Sequence, residues 1–394
     1  MTEVLLTLLV IAALLWFLVA RWLGGADMRR WDAGDGREQR FASDDEGGAE
    51  QRAVLEAIGR LLADIKGVPF SRRLAQMRLA MDALTHGRDF GETRFCPVDA
   101  GGVPAEWVLA PGADPARRTL YIHGGAYTAG SPRSHRSITA RFAEITGGAV
   151  LAIDYRLMPE HSRRAGIDDC RSAYRWILAH GPDGASPATA VFVAGDSAGG
   201  NLTLSLIAWV RDAGLRAPDA AVALSPSTDS TLGSPSLKAN LATDPMLGPV
   251  FGYLARIPRS ALLFGAWLSS RVRPSDPLVS PLIGELSGLP PLLIQASQNE
   301  MLIDDARRYV HKAAAAGSPV RLQTWAHMVH VWQIFDPALP QARQAFDEIR
   351  KFIEAAAPVG GAVRTRTDDG TAMEPGSRGD SRAAGHGTAQ SGIA

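Results

Sequence analysis

The sequence predicts an α/β fold, a mostly parallel sheet with helices on both faces, and three observations carry that expectation. Short apolar runs read as strands at Thr119–His123, Val150–Asp154, Val191–Ala194, Ala221–Leu224, Leu292–Gln295 and Val320–Thr324. Helical stretches such as Asp168–Ala179, Leu202–Arg211 and Asp304–Ala316 lie between them. Strands without polar alternation, separated by helices, belong to a parallel sheet buried on both faces. Finally, the strand ending at Ala194 runs straight into Gly195-Asp196-Ser197-Ala198-Gly199 and then a helix-compatible segment. That is a serine on a sharp strand-to-helix turn.

Composition narrows the function. The chain is 46% hydrophobic and 21% charged, ordinary globular usage. Lys plus Arg and Asp plus Glu each number 41, so no net field favours nucleic acid. The two cysteines, Cys96 and Cys170, lie far apart, which excludes a disulfide scaffold and argues against a zinc site.

At the N-terminus, Val4 to Ala20 is free of charge and interrupted only by Thr7, with Trp22-Leu23 beyond Arg21. A helix of about twenty such residues spans the roughly 30 Å hydrocarbon core. A cleaved signal peptide and a buried core helix are the rival readings. Met-Thr-Glu at the start lacks the basic residues of a signal. Arg21, Arg29, Arg30, Arg37 and Arg40 all follow the span. The expectation is a membrane anchor over 1–26 with the remainder cytoplasmic by the positive-inside rule.

Residues 27–50, rich in Gly, Asp, Glu and Arg, read as a tether. Gln51–Lys66 places Val54, Leu55, Ile58, Leu61, Leu62 and Ile65 on one helical face. A second helix is expected from Ser71 as N-cap, with Leu74, Met77, Met81 and Leu84 inward. Arg94–Ala110 reads as a hairpin around Asp99-Ala100-Gly101-Gly102. Leu232–Asp276 interrupts the strand–helix alternation with helical pieces and prolines, as a lid element or a filler. From Pro358 the tail is glycine-rich and aperiodic, and disorder is expected over 358–394.

A serine nucleophile needs a base, an orienting carboxylate and donors for the oxyanion. His123-Gly124-Gly125-Ala126 follows a strand and offers backbone N–H groups. The expected oxyanion hole is Gly124, Gly125 and Ala198, each donor worth about 3 kcal/mol of barrier. In the chain order Ser, acid, His, the acid should sit just past a strand. Glu300 does, whereas Asp304 and Asp305 fit the start of the next helix, where carboxylates favour the N-terminus. Of His327 and His330 after the last strand, His330 is the expected base and His327 an entrance or structural residue.

These segments together resemble the hormone-sensitive-lipase-like branch of the α/β-hydrolases. The resemblance runs from about Leu120 to Phe352 through HGGAY at His123, DYRLMPEH at Asp154, GDSAGGN at Gly195, DPLVSP at Asp276, NEMLIDD and HMVHVW at His327. It implies an α/β-hydrolase fold over 94–357 under a helical cap made of residues 51–93 and 232–276. It implies Ser197, Glu300 and His330 as the triad, although the branch usually has Asp at the acid and glycine where His327 stands. Ala126 replaces a third glycine, narrowing the space beside the acyl group. Ser162-Arg163-Arg164-Ala165 stands where the branch has Pro-Phe-Pro-Ala. Asp154, Arg156 and Glu160 are expected to hold loops beneath the site.

The expected activity is hydrolysis of a small-molecule carboxylic ester, lipophilic in character, without metal or organic cofactor. Deacetylase, amidase or lactone hydrolysis on the same site is the alternative. A ligand-binding role, as in plant hormone receptors of similar fold that have lost triad residues, is the non-enzymatic rival.

Overall fold

The computed structural model describes residues 2–34, 37–42 and 48–358. Its centre is a nine-stranded sheet. The strands in chain order are β1 Glu38–Phe41, β2 Arg94–Asp99, β3 Pro104–Leu109, β4 Asp114–Ile122, β5 Gly148–Ile153, β6 Ala190–Asp196, β7 Ala220–Leu224, β8 Leu292–Ser297 and β9 Val320–Trp325. Across the sheet they run β1-β9-β8-β7-β6-β4-β5-β3-β2. β2 and β3 form the expected hairpin, and β3 also pairs antiparallel with β5. Every other pairing is parallel. The chain has the α/β-hydrolase fold.

The longer helices are α1 Thr2–Gly24, α2 Ala49–Gly67, α3 Arg73–Asp82, α4 Arg136–Thr146, α5 Arg163–Ala179, α6 Ala198–Asp212, α7 Arg259–Ser270, α8 Ile303–Ala315 and α9 Pro340–Ala356. Alternate residues of each central strand serve opposite cores. Val191 and Val193 of β6 join α5, α6 and α8 on one face, while Phe192 and Ala194 join α4 and α9 on the other. Each large apolar side chain so buried contributes about 1.5–3 kcal/mol. Register places the active edge: Ile122 pairs with Gly195, Asp196 with Leu224 and Ser297 with Trp325. The carboxyl ends of β4, β6, β7, β8 and β9 therefore finish level, where ligands bind in such sheets.

Over its described residues, the tether reading of 27–50 is corrected. Arg29–Trp31 forms a 3-10 turn, Met28 is buried, and Asp32 pairs with Arg308 at 2.5 Å. Residues 38–41 then add β1 to the sheet edge beside β9. Phe41 stacks on Trp325 with ring centroids 4.2 Å apart, and Glu38 accepts from Arg307 and Thr324. A four-residue polar strand carries no hydrophobic period, because edge strands take charged residues on their open side. Ser71 is also not an N-cap. A 3-10 turn over Phe70–Arg72 precedes α3, and no side chain caps it. On α2, Val54 and Ile58 are buried as expected, but Leu55 is exposed. The tail expected to be disordered lies outside the described residues from 359 onward.

Along α1 the apolar side chains from Val4 to Trp22 are largely exposed, while Leu23 is fully buried. By length and composition this helix could cross a membrane, and a signal sequence has the same character.

Candidate active site

Ser197 sits at the turn from β6 into α6 with φ 52° and ψ −115°, a conformation that L-residues rarely adopt. The strain is held by close packing. A side chain on Gly199 would overlap the carbonyl of Ile122, so only glycine lets helix and strand meet here. The Ser197 N–H donates to Leu224 O at 2.8 Å, fixing the turn to β7. Of the eight non-glycine residues with positive φ among the described residues, six cluster here: Ala126, Tyr127, Ser197, Ser225, His327 and Val331. Such concentration of strain marks functional sites.

The structure brings Ser197, His330 and Glu300 together. His330 Nε2 lies 2.9 Å from Ser197 Oγ, and its Nδ1 lies 2.8 Å from Glu300 Oε2. Both ring and carboxylate are buried. Burial alone would push the His330 pKa down, but the hydrogen bond and charge of Glu300 outweigh it and hold it above the ordinary histidine value. Burial raises the Glu300 carboxyl, with His330 opposing. Nδ1–H donating to the carboxylate leaves Nε2 free to accept the serine proton.

The expected oxyanion hole needs one correction. The Gly124 N–H donates to Asp196 Oδ1 at 3.1 Å and is already committed inside the protein. Asp196 also accepts from Tyr121 Oη at 2.7 Å and pairs with His135 Nε2 at 3.2 Å. Burial opposes charge on both partners, yet mutual attraction lowers the Asp196 pKa and raises that of His135. This network seats the loop after β4 against the elbow. Among the described hydrogen bonds, the N–H groups of Gly125, Ala126 and Ala198 donate to no protein acceptor. Ala198 is the first residue of α6, where backbone donors are unsatisfied by the helix itself. Gly125 has φ 111°, and a side chain there would overlap Ala129 O. The loop chemistry was legible, but which amides were free was not.

The loops carrying Glu300 and His330 are held by residues that sequence reasoning passed over. Asn240 Nδ2 donates to the carbonyls of Gln298 and Glu300, and Thr243 Oγ1 to that of Asn299. The buried Asp244 accepts from the N–H groups of Met246, Leu247 and Met301. Asn299 Oδ1 in turn accepts from the His327 N–H at 2.7 Å, joining the acid loop to the base loop. His327 has φ 61°, a backbone conformation that favours glycine. Arg156 donates to Asp169, and Glu160 accepts from Arg78. Tyr155 Oη donates to His123 O.

Comparison with known proteins agrees with this fold. A family profile described as alpha/beta hydrolase fold matches residues 119–334, more than half the chain. A solved esterase of the bacterial hormone-sensitive lipase family superposes with TM-score 0.68 and 34% identity, over 78% of this chain and 98% of that one. The chain belongs to the hormone-sensitive-lipase-like branch of the α/β-hydrolases. This branch member is 39% identical over 259 residues to an acetyl-hydrolase of Streptomyces hygroscopicus, covering 66% of this chain and 82% of the relative. It is 37% identical over 266 residues to the carboxylesterase/phospholipase LipF of Mycobacterium tuberculosis, covering 66% and 68%. As a hormone-sensitive-lipase-like hydrolase it is a serine ester hydrolase.

Proposed function

We propose that the chain is a membrane-anchored carboxylic ester hydrolase working through Ser197, His330 and Glu300 on lipophilic esters. The observation carrying this reading is the continuous relay from Ser197 Oγ to His330 Nε2 at 2.9 Å and from His330 Nδ1 to Glu300 at 2.8 Å. His330 takes the serine proton as Ser197 attacks the ester carbonyl, and Glu300 stabilises the imidazolium that forms. The tetrahedral oxyanion is received by the Gly125, Ala126 and Ala198 amides. His330 then protonates the leaving alcohol, and water repeats the sequence on the acyl-enzyme. α2 and α3, with residues 232–276, act as a cap over the pocket. α2 packs on the loop bearing His330 through Val54 and Ile58, and α3 holds the oxyanion loop by Arg78 Nε to Thr128 O at 2.7 Å.

The test is fluorophosphonate labelling beside Ser197→Ala and His330→Ala, with p-nitrophenyl esters from acetate to palmitate. Labelling should vanish in both variants, and kcat should fall by about 10⁶-fold. A folded parent chain that takes no label would overturn the reading in favour of ligand binding. The acetyl-hydrolase relative, at 39% identity, favours a second reading in which small acetyl esters are the substrates. A rate maximum at acetate would select it.

A further inference from the structure

Large apolar side chains left in the open are distributed unevenly. Among the described residues, every one more than about a third exposed lies either in α1 or in residues 51–93 and 232–276. The catalytic core contributes none. Phe70 is 84% exposed, Leu79 67% and Tyr253 64%, with Leu268 at 42%. Isolated exposed leucines are ordinary, but confinement to one part of a molecule marks an interaction surface.

Charge is divided in the same way. Residues 51–93 and 232–276 hold twelve Lys and Arg against seven Asp and Glu, in a chain whose charges balance overall at 41 each. The rest of the protein is correspondingly acidic. Arg73 lies over the Phe70 ring at 5.8 Å, so cation and apolar surface are interleaved.

α1 is fastened to this same part. Trp22 meets Trp267 edge-on at 6.1 Å, Trp16 meets Phe264 at 6.1 Å, and Ser275 Oγ donates to Trp22 O at 3.2 Å. Gly25 turns the chain at φ 64°, where a side chain would press on Ser275 Cβ at 2.5 Å. The apolar helix is therefore continuous with α7 and joined to it by a tight, specific contact. Met246 packs against the same apolar cluster that takes in Val54 and Ile58 of α2, so both cap segments share it.

We infer that the cap is a bilayer-docking face: its exposed apolar residues rest in the interface of the membrane α1 enters, and its excess cations meet anionic headgroups. The inference rests on the anchor reading of α1. Aromatic and aliphatic side chains dip into the headgroup–acyl boundary, while each Lys or Arg near an anionic surface adds about 1 kcal/mol. A second copy of the chain is the poorer occupant, because two such faces would bring like charges together.

The experiment uses the full chain in vesicles of phosphatidylcholine and phosphatidylglycerol. Nitroxide labels are placed at Phe70→Cys, Tyr253→Cys and, as an aqueous reference on α9, Arg350→Cys, all in a Cys96→Ser background. Collision rates with oxygen and with a water-soluble nickel chelate are compared. Oxygen should dominate at 70 and 253 by at least fivefold relative to 350. Equal nickel access at all three sites overturns the proposal. Spin–spin broadening between chains at 70 or 253 also overturns it, assigning the face to a second copy. Turnover of p-nitrophenyl butyrate by the same labelled chains is read separately. Its absence with lipid-exposed labels would sink the esterase reading and leave the docking face standing.

Discussion

The two halves of the site are built differently. Ser197 and the oxyanion loop sit on neighbouring central strands, β6 and β4, and are fixed by backbone geometry plus the buried Asp196–His135–Tyr121 network. Glu300 and His330 stand on loops after β8 and β9, and the acid loop is gripped by Asn240, Thr243 and Asp244 from the insertion. The Ser197 half is thus held by the core and the Glu300 half by residues 232–276. A disturbance of the core should disable the enzyme through loss of fold or of the oxyanion hole. A disturbance of the insertion should act through alignment of the acid and base.

Three substitutions sharpen that contrast. Glu300→Gln should produce the largest loss, about 10³–10⁴-fold in kcat, since the tautomer and charge support of His330 both go. The pH profile gives a second reading. His330 must be unprotonated to act, so with its pKa raised by Glu300 the acid limb of kcat/KM should lie above that of an ordinary histidine in the parent. Removing the carboxylate charge lowers that pKa, and the limb should move to lower pH. An unmoved limb would show that Glu300 is not coupled to His330.

Asp196→Ala should lower kcat about 10²-fold by freeing the loop that carries Gly125 and Ala126. It should also cost about 3–5 kcal/mol of stability in urea unfolding, because His135 and Tyr121 lose a buried partner. Unchanged stability would remove the network from its anchoring role.

Asp244→Asn should have the smallest effect, about tenfold in kcat. One of the three N–H donors loses its acceptor, and the acid loop loosens. Asp244 also contributes to the raised His330 pKa. The acid limb should therefore shift in the same direction as in Glu300→Gln, but less. A fall in stability with an unmoved limb would mean that Asp244 only holds the insertion.

How much could be read in advance follows the same division. The nucleophile, the loop after β4 and the strand ladder are contiguous motifs with a hydrophobic period, so Gly195–Gly199 and His123–Ala126 announce themselves. The family resemblance and the order Ser, acid, His carried the reading to Glu300 and His330. What stayed hidden was long-range. Asp244 meets Met301 across 57 residues, and Gly124 meets Asp196 across 72. Neither pairing leaves a local pattern. β1 escaped for a different reason: Glu38-Gln39-Arg40-Phe41 carries the polar dress of a sheet edge, which reads as linker.

That edge strand has a mechanical consequence. Thirteen residues separate Gly24 from Glu38, and fully extended they would reach roughly 45 Å. The described residues of this stretch are fastened to the body. Met28 is buried, Asp32 is bound to Arg308, and β1 is laced to the strand that leads into the His330 loop. A pull along α1 would be borne first by the α1–α7 contact and the Asp32–Arg308 pair, then as shear along β1 and β9. The helix is therefore tied to the catalytic body at several separate points.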